Sequence, residues 1–161
     1  MQNYGWLKWS GAIIGLALTA LSAGMFTGCG KSADSLYAEG KALIGKPETQ
    51  AKGLEMLAEF EKRFPKDPRT PEVILGAASL YQSEKKFSEA ESGFNRLIEK
   101  YPDTVEAYKG MFLLGYMYYE DMQDTAKAKT VLNKFITAYP DSGMMTESAK
   151  MLLENIGLPI E

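Results

Sequence analysis

Carboxylates are the most plentiful side chains in this chain that could carry acid–base chemistry, and they gather at Glu55, Glu59 and Glu61 and again at Asp121 and Asp124. Two facing carboxylic acids are the machinery of glycoside hydrolysis, one protonating the leaving oxygen while the other acts as base or nucleophile. On amphipathic helices the same residues more often form a solvated face, and that is the favoured reading, with a carboxylate-dependent enzyme kept as a third choice. The chain has no histidine. Ser-His-Asp and Cys-His constellations, imidazole acid–base work and the usual zinc sets are therefore absent. Gly40 and Gly45 lack the spacing of a phosphate-binding loop, and Gly45-Lys46-Pro47 reads as a turn. Lys and Arg total 18 against 21 Asp and Glu, a net charge of −3, with no basic stripe to neutralise phosphates. Nucleic acid is thus a disfavoured partner, and the expectation is a protein with no catalytic residues, metal, cofactor or small-molecule substrate.

The other reactive side chain is Cys29, the only cysteine, which leaves no internal disulfide to form. It ends an uncharged stretch, Trp9 to Gly30, whose residues 11 to 26 are mostly Ala, Ile, Leu and Gly and which follows Lys8 and the terminal amine. A short basic region, an apolar region and small residues describe a bacterial secretory signal. Phe26-Thr27-Gly28-Cys29 resembles a lipobox, with Gly28 matching the pattern and Phe26 standing where leucine is usual. That resemblance implies a signal peptide over 1–28, cleavage before Cys29, and acyl chains on Cys29 that hold a lipoprotein on a membrane, the ~0.8 kcal/mol per buried CH₂ adding up over the chains. A tether over 29–34 follows. Residue 30 is glycine rather than the aspartate that favours inner-membrane retention in enteric bacteria, so the expected location is the outer membrane, facing the periplasm. The alternative is that residues 9–30 stay in place as a membrane-spanning helix, since about 20 apolar residues suffice.

Beyond Cys29, an aromatic residue followed by proline closes three apolar segments: Phe64-Pro65, Tyr101-Pro102 and Tyr139-Pro140, spaced by 37 and 38 residues. With the prolines in register, Phe60, Leu97 and Phe135 stand five before them, Leu57, Phe94 and Leu132 eight before, and Gly53, Ala90 and Ala128 twelve before. Apolar residues at three- and four-residue steps make one face of a helix, and the small position suits close helix contact. Proline then ends each helix. Downstream, Ile74, Ala77, Ala78 and Tyr81 answer to Met111, Leu114, Gly115 and Tyr118, and to Ala149, Leu152, Leu153 and Ile156. Seven helices are expected, over 35–44, 49–63, 71–83, 88–100, 105–120, 126–138 and 144–156. Thr70-Pro71-Glu72 offers an N-cap and a first-turn proline, Ser88 with Glu91 a capping box, and Gly157 a stop.

Leu114-Gly115-x-x-Tyr118, then Ala128, then Pro140 resembles the tetratricopeptide repeat, and so does Ala78-x-x-Tyr81, then Ala90, then Pro102. The resemblance implies an all-α, right-handed superhelix of about three helical hairpins plus a C-terminal capping helix, here over 35–157 with a tail at 158–161. The copies exceed the usual 34-residue period, and the extra length is expected in loops after Pro102 and around Asp121 to Thr125. Methionines 144, 145 and 151 are read as the apolar face of the capping helix.

One helix carries more apolar surface than its core register asks for. Phe112, Tyr116 and Tyr119 form a second stripe, and Leu75, Ser79 and Gln82 are its equivalents one repeat earlier. In tetratricopeptide domains that stripe lines the inner surface where partner segments bind, so these six are the candidate partner groove. The competing reading is that neighbouring first helices pack on one another and absorb the aromatics. A lipidated cysteine, a short linker and hairpins ending in Tyr-Pro-Asp look like BamD lipoproteins of the outer-membrane β-barrel assembly machine, and also like the repeat domain of the periplasmic protein coordinating Tol-Pal with peptidoglycan synthesis. The implied function is a non-enzymatic envelope scaffold that binds protein partners, the alternative being a regulator of a membrane partner with an uncleaved inner-membrane anchor.

Overall fold

The computed structural model describes residues 30–156. The chain divides at Gly30, and the part that follows is the repeat domain. Signal peptide, Cys29, Gly157 and the tail lie outside the described residues. Seven α-helices follow one another: α1 (Ala33–Ile44), α2 (Gln50–Arg63), α3 (Thr70–Ser83), α4 (Phe87–Lys100), α5 (Val105–Tyr116), α6 (Thr125–Ala138) and α7 (Met144–Asn155). No strand occurs among the described residues. Each helix packs on the next, so α1–α2, α3–α4 and α5–α6 are hairpins and α7 closes the stack. This is the all-α helical repeat that the spacing of the prolines predicts.

The aligned positions are the core. Phe60, Leu97 and Phe135 are fully buried, as are Leu57, Phe94 and Leu132, and Gly53, Ala90 and Ala128 sit where two helices meet. Burial of each large side chain contributes about 1.5–3 kcal/mol, which a lone hairpin could not match to its ordering cost. Contact at the small positions is close. A Cβ on Gly53 would stand 2.7 Å from the Ile44 backbone nitrogen and 2.9 Å from the Gly40 oxygen. On Gly115 it would stand 2.6 Å from Leu132 Cδ2, the contact that Gly40 repeats with Leu57 at 2.8 Å.

The turns after the second helices share one construction. Phe64, Tyr101 and Tyr139 have φ of −126°, −133° and −131°, outside the helical well, as a residue preceding proline must be. Their carbonyls, left orphaned at a helix end, accept from the hydroxyls of Thr70 (2.7 Å), Thr104 (2.8 Å), and both Ser142 and Thr146 (3.0 Å each). Tyr101 Oη donates to the Pro65 carbonyl and Tyr139 Oη to that of Pro102, tying each turn to the one before. In the last turn Gly143 adopts φ 61°, which a side chain would resist.

Four sequence expectations are corrected. The Thr70 hydroxyl is buried and donates across the turn to Phe64 instead of capping α3, whose N-cap is Arg69. Ser88 lies inside α4, which begins at Phe87 behind Lys86 without a side-chain cap, because half-buried Phe87 packs on the core and draws the helix start back. Side-chain caps occur instead at Ser32, Thr104 and Asp124. Helix α1 starts at Ala33, two residues before the expected start of the repeat domain at 35. Of the three methionines only Met145 packs inward; Ala149 is buried, and half-buried Met145, Leu152 and Leu153, with Ile156 just past the helix, pack on the same core, while Met144 and Met151, seven residues apart on another face, are 87% and 57% exposed.

The extra residue of the 38-residue interval is also not in a loop. Tyr81 to Tyr118 is 37 residues and Ala90 to Ala128 is 38, so the insertion lies between Tyr118 and Ala128. Residues Met117–Asp121 form a π-helical turn, with Met122 N donating to Met117 O at 3.0 Å. A π turn is how a helix absorbs one residue without losing its direction.

Candidate functional site

The six groove candidates sit on α3, α5 and the π turn, which run side by side. Gln82 Nε2 donates to Asp121 Oδ2 at 2.7 Å, joining the C-terminal ends of the two first helices across 39 residues of sequence. That bond uses a carboxylate which the π turn presents, so the inserted residue helps build this surface.

Within the stripe the side chains divide. Phe112 is half-buried, with its ring 5.7 Å from that of Phe135 and packed on the α6–α7 core. Leu75 packs between two core clusters, and Tyr119 lies against the one containing Tyr118 and Phe94. Ser79 is half-buried. Tyr116 is exposed at 39%, one of four large apolar side chains so exposed among the described residues. The helix thus keeps Phe112 and Tyr119 seated in the core at either side and turns Tyr116 outward between them. On the core side are Leu114 of α5 and Met117 and Tyr118 of the π turn, all buried. Burial, with the Glu91 carboxylate beside it, pushes the Tyr118 phenol well above its ordinary value, so it stays neutral.

Register extends the surface beyond the six. Gly76 of α3, Leu113 of α5 and Met151 of α7 are equivalent positions, and α5 touches both α3 and α7. Gly76 is exposed, and a Cβ added there would meet nothing within 4 Å; Leu113 is half-buried and Met151 is exposed. Met151 escapes a sequence reading because its type fits a capping helix's buried face equally well; only the phase of α7 separates it from Met145.

Of the five candidate carboxylates, Glu59, Glu61, Asp121 and Asp124 have structural partners, and Glu55 lines a cleft without one among the described residues. Glu59 pairs with Arg63 at 2.8 Å, Glu61 with Arg96 at 2.6 Å, and Asp124 caps α6 by accepting from Lys127 N at 3.0 Å. Among the described residues no group of His, Cys, Asp and Glu could hold a metal ion, and no helix is long and apolar enough to cross a membrane. A cleft of ≈ 420 Å³ lies away from the stripe, lined by Gln50, Leu54, Tyr81, Glu84 and Lys86 among others. Glu84 Oε2, buried there, lacks a well-aligned hydrogen bond and has its charge met by Lys86 Nζ at 2.7 Å.

Comparison with protein families gives a match to part of the chain. The tetratricopeptide repeat family matches residues 72–104 and 109–142, that is, α3–α4 and α5–α6 with their connecting turns. Over these two segments the chain is similar to tetratricopeptide repeats. No curated protein matches it. Both matched segments carry the groove candidates on their first helices. Proteins of this repeat are generally non-enzymatic adaptors, and the match suggests a scaffold for protein–protein contact.

Proposed function

We propose that this protein is a lipid-anchored adaptor of the bacterial cell envelope whose tetratricopeptide repeats bind a protein partner across the first-helix face centred on Tyr116. The observation that carries the binding surface is the outward Tyr116 between core-seated Phe112 and Tyr119. Tyrosine holds apolar contact while its hydroxyl stays wet, and rigid support from packed neighbours is what an interface anchor needs. Leu75, Ser79 and Gln82 widen the face on α3, and Met151 extends it toward α7. Support for the anchor is the Thr27-Gly28-Cys29 sequence closing the apolar run. An anchor of this kind would hold the domain on the periplasmic side of the outer membrane. Within the envelope the likeness to BamD lipoproteins, or to the Tol-Pal coordinating protein, suggests work in outer-membrane assembly or its coupling to wall synthesis.

Processing tests the anchor directly. Both tryptophans, Trp6 and Trp9, precede Cys29. Protein extracted from membranes should lack tryptophan emission and carry the mass of acyl chains on its N-terminal peptide, and Cys29→Ser should accumulate as unprocessed precursor. Tryptophan emission with an unmodified N-terminus would instead establish the uncleaved anchor.

A further inference from the structure

The end of the domain where α1 begins also carries the turns after α2, α4 and α6, because successive helices alternate in direction. Arg69 of the α2–α3 turn bonds Asp34 in the first turn of α1 at 2.8 Å, and the Tyr101–Pro65 and Tyr139–Pro102 bonds continue the row of turns along that end. Helix α1 is capped by Ser32, so only Gly30, Lys31 and Ser32 separate it from Cys29. Three residues reach about 10 Å at most. An anchor at residue 29, as proposed above, would hold this end of the domain within that distance of the bilayer surface.

Three cations stand there without an ion-pair partner among the described residues: Lys62 in the last turn of α2, Lys66 in the turn, and Lys100 at the end of α4, all exposed. Lys62 and Lys100 both line a cleft of ≈ 490 Å³ whose other walls are Ala58, Glu61, Pro65 and Tyr101. The acids of the cleft and turn are already engaged, Glu61 by Arg96 at 2.6 and 3.2 Å and Asp67 by Arg69 at 2.7 Å. A last-turn lysine suits a helix C-terminus, which accounts for Lys62 and Lys100 but not for Lys66. The chain as a whole is acidic, so an anionic surface repels most of it and attracts this corner. Exposed Glu99 and Asp103 flank Lys100 and exposed Asp141 lies in the α6–α7 turn, so the attraction is centred on the α2–α3 turn.

We propose that this corner lies on the bilayer and that Lys62, Lys66 and Lys100 bind the phosphates of anionic lipid headgroups, one of them entering the cleft between Pro65 and Tyr101. The proposal rests on the reading that the chain is held in a membrane just before Gly30. It turns the domain so that the row of proline turns faces the lipid and the opposite turns, bearing Lys46 and Lys85, face away.

The test is amine labelling of the full chain reconstituted into vesicles of phosphatidylcholine alone or mixed with phosphatidylglycerol, floated on a gradient and read residue by residue by mass spectrometry. Lys62, Lys66 and Lys100 should label several-fold less in the anionic vesicles, with Lys46 and Lys85 unchanged. Protein that floats but labels equally in both lipids overturns the proposal and leaves the anchor standing. Protein that floats with neither removes the anchor and the proposal together. If neutral vesicles with added inorganic phosphate give the same protection, the cleft takes free phosphate and the lipid assignment is overturned.

Discussion

The Tyr139 hydroxyl donates to the carbonyl of Pro102 at 3.0 Å, and one repeat earlier Tyr101 makes the same bond to Pro65 at 2.9 Å. Each links the end of one second helix to the turn behind the previous one, so it exists only where a previous hairpin exists. The first of the three aromatics is Phe64, which has no such turn behind it among the described residues. Tyr101→Phe and Tyr139→Phe should each lower stability in urea denaturation by about 0.5–1.5 kcal/mol, while Phe64→Tyr should leave it unchanged. Equal effects at all three positions would show that the hydroxyl's contribution is unrelated to the repeat.

Two glycines separate packing from backbone entropy. Gly53 meets the backbone of α1, so Gly53→Ala must push two helices apart and should cost about 1–3 kcal/mol. Gly76 is helical, exposed and unobstructed, so Gly76→Ala should stabilise by about 0.5–1 kcal/mol. Thermal or chemical unfolding of the two variants checks both signs.

How much of this was legible in sequence depends on the kind of interaction. Core positions read well because Leu57, Phe94 and Leu132, like Phe60, Leu97 and Phe135, repeat one buried environment at a fixed distance from proline, and periodicity encodes that environment. The helix starts read poorly: Ser88 matches a capping box, but the tertiary burial of Phe87 fixes where α4 begins. The π turn was visible as a one-residue difference between the Tyr81–Tyr118 and Ala90–Ala128 intervals, yet nothing local says whether a loop or a helix takes up that residue. At the groove, sequence located the stripe but not its division. Phe112 and Tyr116 are both aromatic and one turn apart, and only the positions of α6 and α7 decide that the first meets Phe135 while the second meets solvent.

Arg69 gives the domain an acid-sensitive clasp at the α2–α3 turn. Its side chain and its backbone N–H both bond the Asp67 carboxylate, which they hold down at about 2. A carboxyl depressed in the folded state favours folding most above its ordinary value near 4, and that contribution fades as pH falls through the folded value. Wild-type stability should therefore drop more steeply between about pH 4 and pH 2 than that of Asp67→Asn, measured by urea midpoints across that range. Parallel curves would mean that the pair contributes nothing to folding.

The partner face is tested most directly by Tyr116→Ala, measured for stability and for partner capture on the same preparation. With the residue 39% exposed, truncation should leave the urea midpoint close to wild type. Loss of an interface anchor should weaken binding of the native partner by about 2 kcal/mol or more, seen as loss of the species that a photo-cross-linker placed at Ser79 captures in intact cells. A variant that unfolds at much lower denaturant would place Tyr116 in the core, and one that is stable and still captures the partner would place the binding surface elsewhere; either result contradicts the account.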